Sequence, residues 1–429
     1  MSTIYVIKNE LKTLARSLPI ETLTPVTLQE LQDGQAPFAF TVREMSNKTN
    51  KPMLDTLKDL PDLVLSGLQN GRMGLILDNS GEANYLPDHV LDNWYSCFDE
   101  LKIAAALVTY VSQDVMLPTL HDAYIIRRHW HGEIHIGFHH LFMKRLSDSY
   151  SHISNDLQEY EEREQYMLDD LPKAKRALCL INKPRARRIQ LALSLLKEGV
   201  WDDIAVSFSG FEEEDRRAAA YSAKHDVIPT SSVGEFRKLQ GAFILEPYLP
   251  ILREHGVVSL DIPTNHSPND TNPPPNFVLG LAEDLYVTSR FSIVSETEMA
   301  NRMYRFTEKS IKPFACYHPA VFFGNPFSLR LLRFLDFETF GNIIDESYDE
   351  EVCPSRRFDA AFIQAMRIVK MSDAEWHEQF STIRETLIHN AHHFFFELPR
   401  IIREQIDVPL IRLLKGVQMQ AVGGRSALV

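Results

Sequence analysis

The sequence predicts an α/β protein built from two Rossmann-like domains, and three observations carry that expectation. Short β-branched or apolar runs alternate with segments of helical periodicity, which is the pattern of a parallel sheet with crossover helices. The alternation occurs twice, once from about residue 60 and again from about residue 171. In both halves a polar or basic loop follows a strand, the place where open α/β sheets bind ligands. At 429 residues the chain is also longer than one hydrophobic core usually grows, which favours two domains of about 150 to 250 residues. The expected division is an N-terminal domain over 1–170 that ends in an acidic linker helix, a second domain over 171–370, and C-terminal helices with a frayed tail over 371–429 that pack back across both.

Composition excludes several classes. A hydrophobic fraction of 44% and a charged fraction of 24% are those of an ordinary globular protein. No apolar run approaches the roughly 20 residues of a membrane span, and the first residues, MSTIYVIKNELK, lack the plan of a signal peptide, so a cytoplasmic location is expected. Cys97, Cys179, Cys316 and Cys353 form no C-x-x-C pair and read as buried thiols rather than a disulfide framework or zinc knuckle. A formal charge of −13 argues against a general nucleic-acid binder. The acidic run from Asp156 to Asp170 reads as a solvated helix joining the domains, and basic clusters at Lys173–Arg176 and Lys183–Arg188 follow it.

Taken in order, Ile4 to Ile7 suits an inner strand. Pro61 to Gln69 reads as a helix with proline in its first turn, Gly71 as its stop, and Met73 to Leu77 as a buried strand. Pro87 to Leu101 is the next helix and Ala104 to Val111 the next strand, completing a βαβ unit whose crossover should be right-handed. The loop Asp78 to Tyr85 therefore leaves the carboxyl end of a strand. The segment Arg127 to His140 is rich in histidine; His129 and His131 would share a strand face, and His135 and His139 a helix face. No His-Glu-x-x-His spacing occurs, so partly buried structural histidines are expected in preference to a metal site.

The second half begins with a strand at Arg176 to Ile181, a basic exit loop from Asn182 to Arg187, and a helix opened by Arg188 and ended by Gly199. An arginine there can reach a phosphate at the helix N-terminus. Ile204 to Phe208 returns as a strand, an acidic helix is expected over Phe211 to Ala223, and the proline- and asparagine-rich run from Asp261 to Asn276 reads as a long surface loop or flap. From Ser295 to Asp349 charged residues end short apolar runs. Thr307-Glu308-Lys309 leads a helix, Pro319 to Gly324 is an apolar strand, Ser328 to Leu335 another helix, and Asp345 to Asp349 a closing turn. Helix N-termini beside such a sheet receive anions, so Glu308 and Lys309 become candidate binding residues. Two helices, Arg356 to Lys370 and Asp373 to Phe394, follow.

Thr307-Glu308-Lys309 with Lys312-Pro313, Pro319 and Gly324 resembles the donor-binding half of the α1,3-fucosyltransferases. The segment from Leu178 to Leu195, with Asn182 in the loop and Arg188 on the helix, is similar to that family's first donor-domain unit. Ser80 to Asn84 is similar to its loop with the catalytic glutamate, here Glu82. A looser set of bacterial and bacteriophage glycosyltransferase-like proteins shares the asparagine-arginine loop, the T-E-K tripeptide and the Asp345 to Asp349 end. Arg305 stands where the fucosyltransferases place an aromatic residue.

The resemblance implies the GT-B arrangement, two Rossmann-like domains facing a cleft, with acceptor on the first and nucleotide sugar on the second. It implies an inverting transfer in which Glu82 is the base, Arg188 and Lys309 neutralise the departing diphosphate, and Glu308 and Glu296 accept from ribose or sugar hydroxyls. Asn182, Arg305 and Thr307 complete the donor-binding set. No metal and no cofactor beyond the nucleotide sugar is implied, and no Asp-x-Asp triplet occurs in the chain. The acceptor would be a hydroxyl of a glycan, of a lipid-linked saccharide or of a hydroxymethylated base in phage DNA. The rival readings are a metal-dependent hydrolase using His129 to His140 and a catalytically silent nucleotide-binding protein.

Overall fold

The computed structural model describes residues 4–7, 23–27, 29, 38–43, 53–80, 85–128, 132–169, 173–182, 184–211, 232–256, 258, 260 and 280–423. It is an α/β structure with two parallel sheets. The chain divides into two compact units: the first comprises Met1–Arg145, Arg302–Arg305 and Pro399–Val429, the second Leu146–Asn301 and Phe306–Leu398. No helix among the described residues is long and apolar enough to cross a membrane.

The first unit holds six strands, β1 (Ile4–Ile7), β2 (Leu23–Val26), β3 (Phe38–Arg43), β4 (Met73–Asn79), β5 (Val108–Ser112) and β6 (His135–Phe138), in the order β2-β1-β3-β4-β5-β6. Every pairing is parallel. Pro25 is tolerated because β2 is an edge strand. All side chains of β4 and β5 are buried, as inner parallel strands covered on both faces require. On one face Met73, Leu75 and Leu77 pack with Val64 and Leu68 of the Asp62–Gln69 helix and with Leu91, Trp94 and Phe98 of the Asp88–Leu101 helix. The alternate residues face the C-terminal helix Val408–Gly423. Two glycines permit its approach, since a Cβ on Gly74 would lie 3.0 Å from Val417 Cγ1 and one on Gly137 only 2.7 Å from Leu410 Cδ1. The expected strand from Ala104 begins later, at Val108, because Ala105–Leu107 form a 3₁₀ turn, for which alanine is better suited than for a strand.

The second unit holds β7 (Ala177–Asn182), β8 (Ile204–Phe208), β9 (Ser292–Ser295) and β10 (Ala320–Phe323), all parallel, in the order β10-β9-β7-β8. The helix after β7 begins at Ala186, two residues before Arg188, and ends at Lys197 with Gly199 at φ +69°. The acidic run forms the Leu157–Met167 helix, but it is more than a solvated connector: Tyr160, Arg163 and Met167 are buried. Arg163 donates to Glu283 and to the Ala315 carbonyl and lies 5.2 Å over the Phe395 ring, so one face of an acidic helix is anchored by its one buried cation. The expected acidic helix at Phe211 to Ala223 lies outside the described residues beyond Phe211, as do the Asp261 to Asn276 loop and residues 424–429.

The Asp345 to Asp349 turn is structural. The Asp349 carboxylate accepts from Leu329 N at 3.1 Å and Arg330 N at 3.4 Å, satisfying the first turn of the Ser328–Phe334 helix. Replacing Asp349 with alanine should therefore cost about 1 to 2 kcal/mol in a urea unfolding curve. Burial pushes its carboxyl up to about 6 against the pull of those two N–H groups. The folded chain thus binds this proton more readily than the unfolded one, so the group's contribution is complete below about pH 4 and declines as pH rises through about 6. Relative to Asp349→Asn, the native chain should lose stability over that window and run parallel to the variant above it.

Candidate functional site

In each sheet the strand order reverses at one place, between β1 and β3 in the first unit and between β7 and β9 in the second. Adjacent strands there send their chains to opposite sides, which opens a crevice at the carboxyl ends. The loops after β1 and β3 lie outside the described residues. In the second unit the reversal point is described, and it collects most of the residues singled out from sequence.

Asn182 is the last residue of β7, and Lys183 beyond it is outside the described residues. Arg185 follows, exposed, at the N-cap of the 12-residue Ala186–Lys197 helix. Arginine cannot accept a hydrogen bond, and the Arg185 side chain gives this helix no cap. The N-cap thus carries a cation instead of the usual Ser, Thr, Asp or Asn. Arg188, one turn in, is only 4% exposed. It donates to the Ser295 carbonyl at 3.1 Å and to Thr297 Oγ1 at 3.2 Å, so it ties the helix to the end of β9. Burial first, and then Arg185, lower its pKa to about 10, which leaves it charged at neutral pH. Glu296 and Glu308 oppose that shift.

The other helix at this edge, Glu308–Ala315, is not open to an anion in the way its sequence suggests, because its N-terminus is filled from within. Thr307 is the N-cap and its hydroxyl accepts from Lys309 N at 3.4 Å. Glu296, one residue beyond β9, places Oε1 2.8 Å from Thr307 N, 3.2 Å from Thr307 Oγ1 and 2.7 Å from Ser310 Oγ. Its other oxygen accepts from Thr297 N at 3.2 Å. Glu308 is buried and pairs with Lys309 Nζ at 2.6 Å. Burial works against its charge, yet Lys309 and Lys312 outweigh it and hold the carboxyl below its ordinary value. Lys309 keeps 20% of its side chain exposed. At this edge Arg185 is exposed and Lys309 partly so, whereas Arg188 is buried.

Two sequence candidates fall elsewhere. Arg305 belongs to the first unit, where its guanidinium donates to Gln113 Oε1 at 3.4 Å, beside Tyr304 N bonded to Asp114 Oδ1 at 3.1 Å. Glu82 lies outside the described residues. The chain leading to it is pinned, since Asp78 Oδ1 accepts from Ser80 N at 3.0 Å and Ser80 Oγ at 2.6 Å, and Gln113 donates to the Ser80 carbonyl at 2.7 Å. Asp114, capping Met116 N as well as Tyr304 N, is pushed up to about 6 by burial.

The histidines do not share a helix. His135 opens β6, with Nε2 3.1 Å from the Ala106 carbonyl, and His139 follows the strand in extended chain. His139 is fully buried, and burial, with His140 and Lys144, pushes it down to about 3 and keeps it neutral. His140 Nδ1 accepts from Met143 N at 3.1 Å, a helix-capping bond. His129 and His131 are outside the described residues. Arg185 was legible only as one of several arginines in a basic loop; its N-cap position needed the backbone.

Removing the Glu296 carboxylate should strand four donors, the N–H groups of Thr297 and Thr307 and the hydroxyls of Thr307 and Ser310. Glu296→Ala is expected to cost about 3 kcal/mol and Ser310→Ala about 1 kcal/mol in chemical unfolding. A loss under about 0.5 kcal/mol for Glu296→Ala, the range of ordinary surface changes, would show that the carboxylate does not organise this edge. No family model matches this chain, and no curated protein matches it either.

Proposed function

We propose that the chain is a cytoplasmic glycosyltransferase of the GT-B type, moving a sugar from a nucleoside-diphosphate sugar to a hydroxyl acceptor with inversion and without a metal at the diphosphate. The acceptor is a glycan or another saccharide, or a hydroxymethylated base in phage DNA. One observation carries the reading most: the Ala186–Lys197 helix meets the reversal point of its sheet with an arginine at its N-cap and Arg188 buried in its first turn. A helix N-terminus with positive charge beside it suits a diphosphate. In this reading the buried, Lys309-paired Glu308 holds that lysine's ammonium in place at the helix N-terminus.

In this reading the acceptor hydroxyl gives its proton to Glu82 as its oxygen bonds to the anomeric carbon from the face opposite the diphosphate. The carbon–oxygen bond to the diphosphate breaks, and the electron pair leaves with it. Arg185, Lys309 and the field of Arg188 stabilise the charge that develops there. Buried Arg188 also keeps the end of β9 in register with the helix, so its charge and its geometry serve the same step.

Thermal unfolding with a panel of nucleoside diphosphates and nucleotide sugars tests this directly. A ligand at 100 times its Kd stabilises by about 2.7 kcal/mol. One nucleotide should raise Tm equally with and without chelator, and the rise should vanish in Arg185→Ala and Lys309→Ala, whose side chains reach solvent. Glu82→Gln should keep that rise yet lose transfer by about 10² to 10⁴-fold. No rise with any nucleotide would overturn the proposal.

A further inference from the structure

The first unit carries a constellation that the transfer chemistry does not use. His121 and Asp122 lie on the Leu117–Arg128 helix, the first buried and the second exposed, and Glu133, also exposed, lies in the segment that leads into β6. One ligand atom from each of the three falls within 4.8 Å of the others. Two carboxylates held this close repel each other. Among the described residues the nearby arginines are paired with other acids, Arg127 with Asp88 and Arg128 with Asp92, each at 2.8 Å. The buried imidazole is held in place from behind, with Nε2 3.0 Å from the Tyr95 hydroxyl, and that oxygen also accepts from Ile134 N at 3.0 Å. In the tautomer whose Nε2 donates to that hydroxyl, Nδ1 carries the lone pair for a ligand, and a metal-ligating histidine is oriented by such a bond from its other nitrogen.

The geometry points to a divalent-metal site formed by His121, Asp122 and Glu133. One imidazole nitrogen and two carboxylate oxygens suit a first-row transition ion such as Zn²⁺ better than Mg²⁺ or Ca²⁺, which take oxygen ligands, and better than soft ions that prefer thiolates. Three protein ligands leave at least one position for water. The ion would join the helix to the segment before β6, adding a second link to the one the Tyr95 hydroxyl makes between His121 and Ile134. It is independent of the diphosphate-binding residues, so the two proposals stand or fall separately.

The test is a calorimetric titration of the full-length chain with Zn²⁺, after chelator treatment and removal of the chelator, with Mg²⁺ in parallel. Saturable binding of one equivalent of Zn²⁺ is expected, weakened at least about tenfold in Asp122→Asn and in Glu133→Gln. Both changes are at exposed positions and should leave the fold intact, which circular dichroism would check; His121 is left unchanged because it is packed in the core. Absence of one-equivalent binding in the native chain, affinity unchanged in either variant, or Mg²⁺ binding as tight as Zn²⁺ would each overturn the assignment.

Discussion

The Glu296 carboxylate is the constraint on which the carboxyl-end edge of the second unit's sheet depends. It stands one residue beyond β9, and a single oxygen takes up the first free N–H of the Glu308–Ala315 helix and two hydroxyls. A buried carboxylate is stable only where donors and positive charge surround it. Here they are supplied by the helix end itself, and Arg188 lies close enough for Glu296 to act on its charge. The helix, the end of β9 and the Ala186–Lys197 helix are thereby joined through one set of buried polar groups. The two helix ends are built differently: one is closed by the protein's own acid, and the other begins at an arginine that gives it no side-chain cap.

Charge balance follows the same logic. Arg188, Lys312, Glu296 and Glu308 are all buried near this edge. None of these charges could be buried alone, because a lone buried ion costs several kcal/mol. Their mutual compensation leaves Arg185 and Lys309, which reach solvent, as the groups whose charge a ligand could answer. Truncating either of these two leaves the buried network intact, whereas truncating Glu296 or Arg188 disturbs the edge itself. Stability and binding measurements on the two pairs therefore report on different things.

The first unit is held differently. Its inner strands are apolar on both faces, and the C-terminal helix can lie against the sheet only because Gly74 and Gly137 present no Cβ. Its polar residues gather instead at the carboxyl ends of β4 and β5, where Asp78, Ser80, Gln113 and Asp114 bond to one another's backbone and to the inserted Tyr304 and Arg305. This network consumes most of its own donors and acceptors and serves as an anchor for the chain that continues into Glu82.

The α/β class, the parallel strands from Met73, Ala177 and Ile204, the Glu308–Ala315 helix and the stop at Gly199 were legible in the sequence. Each rests on local physics: apolar runs of strand length, helical periodicity, and a glycine able to adopt positive φ. The roles at the edge were not legible. Glu296 and Glu308 look alike as acids near a helix, yet one caps the helix and the other pairs with Lys309. Arg185 and Arg188 look alike in a basic loop, yet one is exposed and the other is buried under β9. His139 reads as helical by spacing and stands after a strand. Arg305 is two residues from Thr307 and belongs to the other unit. Local sequence determines which elements form, because propensity and periodicity act within a few residues. Only the tertiary structure decided which side chain met which partner, because burial and long-range hydrogen bonding depend on residues far apart in the chain.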